Sequence, residues 1–227
     1  MQPYFLPYIG YFQLIAAVDI FILYDNIKYT KKGWINRNRM LSNGSDVMFS
    51  LPLKKKSDTL NVAQRETAAD FDCNKLLNQF NGAYSRAPYF SQTFPLLERI
   101  IRYKDENLFR YIHHSIVTLC QHLGINTEIR ISSDIPIDHS LKSQDKVLAL
   151  CQASGAKIYI NTIGGVDLYD KESFSACGIN LKFIKPKPFE YPQFGSPFVP
   201  WLSVVDVLMF NPTDAVRKRV AENYELI

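Results

Sequence analysis

Met1-Gln2-Pro3-Tyr4-Phe5-Leu6-Pro7-Tyr8-Ile9-Gly10-Tyr11-Phe12 opens the chain, and Asp19-Ile20-Phe21-Ile22-Leu23-Tyr24-Asp25 follows shortly after. Pro3 and Pro7 restrict the backbone, Gly10 permits a tight turn or close ligand approach, and aromatic rings crowd a segment too irregular for a simple strand or helix. It reads as a shaped loop. Phe12 to Ala17 looks like a helical turn, and Asp19 to Asp25 like a buried strand ending in polar residues. Loop, helix, strand is how α/β proteins place binding residues, because ligands settle where strands end and helices begin. The plainer alternative is that the aromatics fill a core and the prolines stiffen the terminus.

Working outward, Lys28 to Asn38 mixes lysine, aromatics, amides and arginine with no period of two or 3.6. Such a segment suits a sugar or nucleotide, since rings stack on flat faces while amides and guanidinium groups fix orientation and phosphate. Val47 to Leu53 is a short apolar run that predicts a strand ending near Pro52. Helices are then predicted from Cys73, with Asp70 or Asp72 as cap, through Phe94 to Ile101, and from Glu106 to His122. His113 and His114 point about 100° apart on that last helix, which places them poorly for one metal.

The alternation then resumes: a strand over 127–133, a helix over 140–154, a strand over 157–160, a loop Asn161-Thr162-Ile163-Gly164-Gly165, a helix over 171–176 and a strand over 180–184. The Gly-Gly loop can bring N–H groups close to a phosphate or carbonyl, although it is neither a Walker loop nor a dinucleotide fingerprint. Residues 186–200 form a proline-rich crossing segment, and helices follow at 202–210 and from 211. The pattern predicts an α/β fold: a single domain over 1–227 with a mainly parallel sheet flanked by helices, Rossmann-like in one reading.

With 227 residues, 47% hydrophobic and 21% charged, the composition is that of a globular protein. A net charge of +4 does not argue for nucleic acid, though Lys28, Lys31, Lys32, Arg37 and Arg39 cluster, as do Lys54, Lys55 and Lys56. Cys73, Cys120, Cys151 and Cys177 are far apart and give neither a metal signature nor a compact disulfide framework. With no signal peptide and no membrane-spanning run, a cytoplasmic location is expected.

The opening loop, Tyr24-Asp25-Asn26-Ile27-Lys28 through Trp34-Ile35-Asn36-Arg37-Asn38-Arg39, Arg86-Ala87-Pro88-Tyr89-Phe90, Tyr159-Ile160-Asn161 with Gly164-Gly165, and Leu202-Ser203-Val204-Val205-Asp206 together resemble, in order, the WbqC-like protein family. The resemblance implies bacterial O-antigen or surface-polysaccharide biosynthesis, with glycyl or other acyl transfer to a nucleotide-linked sugar. Family members carry a short hydrophobic strand before the Gln-Pro-Tyr-Phe motif, where Met1 stands here. Without it, the opening loop is expected to be less well anchored.

Acyl transfer needs a base and oxyanion donors. Asp25 and Asp206 are the candidate catalytic residues. The substrate-binding candidates are Gln2, Tyr4, Tyr8, Gly10, Lys28, Lys32, Trp34, Arg37, Asn38, Asn161, Gly164 and Gly165. No metal ligand set and no cofactor is assigned. The expected partners are a nucleotide sugar or glycan intermediate and an acyl or aminoacyl donor, with no nucleic acid. Two competing readings are an ATP-using nucleotidyl or adenylyl transferase and a non-catalytic glycan- or partner-binding protein.

Overall fold

The computed structural model describes residues 1–57, 59–195 and 197–227. In chain order it forms α1 (Ile9–Ala16), β1 (Ile20–Leu23), β2 (Arg37–Ser42), β3 (Ser45–Ser50), α2 (Cys73–Tyr84), α3 (Phe90–Ile101), α4 (Leu108–Leu123) and β4 (Glu128–Ile131). Then come α5 (Ser143–Ala153), β5 (Ile158–Thr162), α6 (Lys171–Ala176), β6 (Asn180–Pro186), α7 (Val204–Phe210), α8 (Thr213–Glu222) and β7 (Tyr224–Leu226). The fold is α/β. The expected mainly parallel sheet is seen only as two parallel pairs, β1 with β4 and β5 with β6, with β7 antiparallel on β6.

Local chemistry explains the boundaries. Asp72, rather than Asp70, caps α2 by accepting from the Asn74 and Lys75 amides, and Ser203 caps α7 at the Val205 amide. The β2–β3 hairpin was not anticipated as a pair; its signal is Asn43-Gly44, both at positive φ (50° and 76°), the turn that matches the twist of paired strands. The proline-rich segment begins inside β6 and then runs without regular structure to α7 among the described residues; Ser196 lies outside them.

One large apolar core unites α1, β1, the hairpin, α2 to α4, α7 and α8, and a smaller cluster of Val147, Cys151, Phe174, Ile179, Leu181 and Phe183 lies around β6. Buried Gln13 of α1 donates to the Arg219 and Asn223 carbonyls, tying the first helix to the end of α8. Among the described residues, no helix is long and apolar enough to cross a membrane.

The Met1 amine lies in the interior and donates to the Ile22 carbonyl at 2.5 Å. Burial lowers its pKa from 8.0 to about 5. An unfolded chain therefore holds a proton here that the folded chain sheds, so this group makes stability fall as pH drops from about 8 to about 5. Acetylating the amine is expected to flatten that part of the Tm-against-pH curve relative to the free amine, as measured by thermal melts across this range.

Candidate functional site

The opening loop is held at one atom. The Leu6 carbonyl accepts from the Asn38 side-chain amide of β2 and from the Ser203 hydroxyl at 2.7 Å, and Leu6 itself sits at φ 45°. Next to it, the Val204 amide donates to the Pro7 carbonyl at 2.8 Å, the Ser203 amide to the Arg39 carbonyl at 2.9 Å, and the Phe5 amide to the Ile35 carbonyl at 2.9 Å. Three distant stretches thus meet around one loop. It is firmly anchored, against the expectation of a weak hold, because its partners come from β2 and α7.

This anchoring raises an aromatic and basic face. Tyr4 bonds through its hydroxyl to the Asn38 Oδ1 at 3.2 Å and sits 6.3 Å from Trp34 and 6.5 Å from Tyr8, centroid to centroid; Tyr8 is 6.1 Å from Trp201. Trp34 is 40% and Trp201 65% exposed, an unusual display of large apolar rings. The Arg37 and Arg39 guanidinium groups lie 5.7 and 5.5 Å from the Trp34 ring centroid. Arg37 is tied to the Gly33 and Lys32 carbonyls, so it shapes the turn below Trp34. Arg39 reaches Asp46 at 3.1 Å and the Trp201 carbonyl at 3.3 Å, and its Nε has no partner among the described residues. Gln2, Lys28 and Lys32 are exposed, while Gly10 is buried beneath the Tyr8 ring.

The remaining candidates lie elsewhere. Asp25, at the carboxyl end of β1, accepts from the Ser132 hydroxyl and the Ser133 amide, each at 3.1 Å, which joins the ends of β1 and β4. Beside it Asn26 accepts from Ser132 and from Lys146 Nζ at 3.1 Å, and its amide donates to His139 Nδ1, leaving His139 Nε2 to donate to the Ile135 carbonyl. Lys146 lies over the Tyr24 ring at 5.6 Å, and burial lowers its pKa despite the opposing pull of Asp25. Asn161 lies in β5 and Gly165 just after it: a Cβ on Gly165 would come within 2.9 Å of the Asn161 amide nitrogen, so that side chain would have to shift, while Gly164 is exposed.

Asp206 is 0% exposed, with Oδ1 accepting from Tyr84 at 2.8 Å and Oδ2 from Tyr191 at 2.6 Å and Gln193 at 2.9 Å. Burial raises its pKa, against the three hydrogen bonds. Tyr84 in turn accepts from the Leu41 amide. In this arrangement Asp206 is an anchor joining α2, α7 and the proline-rich segment, with no face turned to solvent. Tyr4, Tyr8, Trp34, Arg37 and Asn38 come together; Asp25, the Asn161 loop and Asp206 occupy separate places.

Sequence reasoning missed Trp201, Arg39 as a site residue, Asn26, His139 and Lys146. Arg39 was visible as the end of the basic cluster, and Trp201 as an aromatic directly ahead of the helix cap. Nothing in the linear order joins Lys146 to Asn26.

The model described as the WbqC-like protein family matches residues 2–218. An uncharacterized protein of Mycobacterium tuberculosis, Rv1507c, is 30% identical over 217 residues, which covers 93% of this chain and 91% of that protein. No solved structure matches.

Removing either donor to Leu6 (Asn38→Ala or Ser203→Ala) is expected to cost about 1–3 kcal/mol, and the double variant more than the sum, because either donor alone keeps the shared carbonyl satisfied. Asp206→Ala is expected to cost about 3 kcal/mol, and Asp206→Asn less, since the amide oxygen still accepts. Denaturant melts of the four single variants and the one double variant check both orderings.

Proposed function

This chain belongs to the WbqC-like protein family, and we propose that it is a transferase that moves a glycyl or other acyl group onto a nucleotide-linked sugar of surface-polysaccharide biosynthesis. The observation that carries this reading is the exposed face of Trp34 and Trp201 with Tyr4, Tyr8 and Arg39. Rings of this size stack on the apolar face of a sugar or on a base, and a guanidinium beside them suits a diphosphate. Asn38 and Arg37 set the shelf from below. Lys28 and Lys32 are exposed and add positive charge for an anionic substrate.

In this reading Asp25 is the candidate base, and it serves only where the acceptor reaches from the ring face to the end of β1, where the carboxylate already accepts from Ser132 and Ser133. It takes the proton of the acceptor amine or hydroxyl as that group attacks the acyl carbonyl carbon, and the donor's leaving group departs with its electron pair. The N–H groups around Gly164 and Gly165 supply the oxyanion contacts. The acyl donor is an activated acyl or aminoacyl compound.

The nucleotidyl-transfer reading rests on the opening Pro-x-x-Gly loop, which loosely resembles the first loop of HIGH-type nucleotidyltransferases, with Tyr8 and Tyr11 standing where their phosphate-binding histidines would be expected. Tyr11 is buried, and its hydroxyl donates to the Gln2 carbonyl at 2.9 Å, which speaks against it. A thermal-shift series against nucleotide sugars, ATP and acyl donors separates the readings. The expected result is a rise in Tm with a nucleotide sugar, weakened at least tenfold in apparent affinity by Trp34→Ala or Arg39→Ala. A shift with ATP alone favours nucleotidyl transfer, and sugar binding without product in the presence of donors favours a binding protein.

A further inference from the structure

The β2–β3 hairpin leaves one edge open. Its two-residue Asn43-Gly44 turn makes Ser42 and Ser45 a pair bonded to each other, and bonded pairs alternate from there along the ladder. Arg39 and Leu41 therefore turn their backbone groups away from β3, where the Arg39 carbonyl accepts from the Ser203 amide and the Leu41 amide donates to the Tyr84 hydroxyl. Their opposite numbers on β3, Met48 and Asp46, turn outward on the far side, as does Ser50 opposite Arg37. No strand lies there, and the backbone groups of Asp46, Met48 and Ser50 have no partner on that side among the described residues.

The open stretch has fixed ends. At one is the turn; at the other Pro52 has no amide to give, and its carbonyl already accepts from the Ala68 amide at 2.8 Å. Between them Val47 is 42% and Met48 51% exposed. With no proline, lysine or bulge in Ser45–Ser50, this edge is a ready template for another strand.

We infer that β3 pairs with β3 of a second copy of the chain, antiparallel about a two-fold axis at Met48, so that the two hairpins make one four-stranded sheet. Met48 then faces the partner's Met48, and Asp46 faces the partner's Ser50. All the open amides and carbonyls of the stretch are bonded, about six hydrogen bonds in all. Other registers do worse: an axis at Val47 leaves Ser50 facing the partner's turn, one at Asp46 opposes two carboxylates, and one nearer Ser50 brings in Pro52. The stretch is complementary to itself, which singles out a second copy as its occupant.

Charge agrees with this pairing. Residues directly opposite each other share a face. Asp46 thus stands between its own Arg39, which it meets at 3.1 Å, and the partner's Arg37 two strands away, with the partner's Ser50 hydroxyl placed to donate to it. No like charges face each other across the new pair.

That face also carries the aromatic and basic side chains, since Arg39 lies 5.5 Å from the Trp34 ring centroid. Across the dimer one row reads Arg39, Met48, the partner's Met48, the partner's Arg39, with its end Cα atoms about 14 Å apart at three strand spacings. Each ring face therefore continues onto the other copy. The dimer stands apart from the acyl-transfer reading; only the use of this wider face for a longer glycan rests on it.

The contact is short, so a weak dimer is expected, with a dissociation constant on the order of 10 µM, visible by sedimentation of the full chain between about 1 and 200 µM. Met48→Lys opposes two ammonium groups and is expected to weaken association at least about tenfold, with far-UV spectrum and Tm unchanged, while Met48→Leu keeps it. A second test reads the register in a Cys177→Ser background, which removes the exposed thiol. Met48→Cys is expected to form an intermolecular disulfide at least about tenfold faster than Asp46→Cys or Ser50→Cys alone, since bonded antiparallel Cα atoms stand about 5.5 Å apart and a four-residue offset adds about 13 Å. Asp46→Cys and Ser50→Cys combined are expected to cross-link again. A chain monomeric throughout the range, association untouched by Met48→Lys, or cross-linking as fast through Asp46→Cys as through Met48→Cys overturns the inference. A monomer whose 46–50 amides are protected from exchange only by an added peptide of another sequence overturns it too, and marks the edge as a peptide-docking strand.

Discussion

The carbonyl of Leu6 is where three parts of the chain meet. A backbone bent to positive φ at a branched residue is unfavourable, and it persists here because the amide of Asn38 and the hydroxyl of Ser203 both converge on that oxygen. Asn38 also accepts from Tyr4 and from the Arg39 amide, so one side chain sets the loop, the strand and an aromatic ring together. The exposed rings follow from this, since Tyr4 and Tyr8 stand on the loop and Trp34 and Trp201 on the segments that grip it.

Asp206 supports the same corner from within. A buried carboxylate is costly unless its oxygens are filled, and here Tyr84, Tyr191 and Gln193 fill them. Those donors draw α2 and the proline-rich segment onto α7, and Gln193 passes the constraint on through both hydrogen bonds to Val199, close to Trp201. Asp25 does comparable work at the far side, joining the ends of β1 and β4 while Lys146 and His139 close around Asn26. The aromatic face and the polar cluster are thus distinct regions with different chemistry: one flat, apolar and cationic, the other a network of satisfied polar groups.

Much of the fold was legible because its signals are local. Periodic apolar residues marked α2, α3 and α4; Asp70 or Asp72 marked the start of α2; apolar or alternating runs marked β1, β4, β5 and β6. The hairpin was missed because Arg37 to Ser42 carries little strand periodicity, although Asn43-Gly44 was there to be read. In the site, the density of rings and basic groups around Trp34 was legible as composition. Asp206 was legible as a position of interest, but one of its donors, Tyr84, lies 122 positions away, and the other two, Tyr191 and Gln193, lie in the irregular proline-rich segment.

The sequence alone determined most of the element types and the concentration of aromatic and basic side chains in the first forty residues, because propensity, capping and periodicity act over a few residues. Tertiary structure alone decided that Trp201 joins Trp34, that Lys146 meets Asn26 and that Asp206 is enclosed. Those outcomes depend on which strands pair and how the helices close over them, and pairing is settled by burial across the whole chain, which no short window of sequence contains.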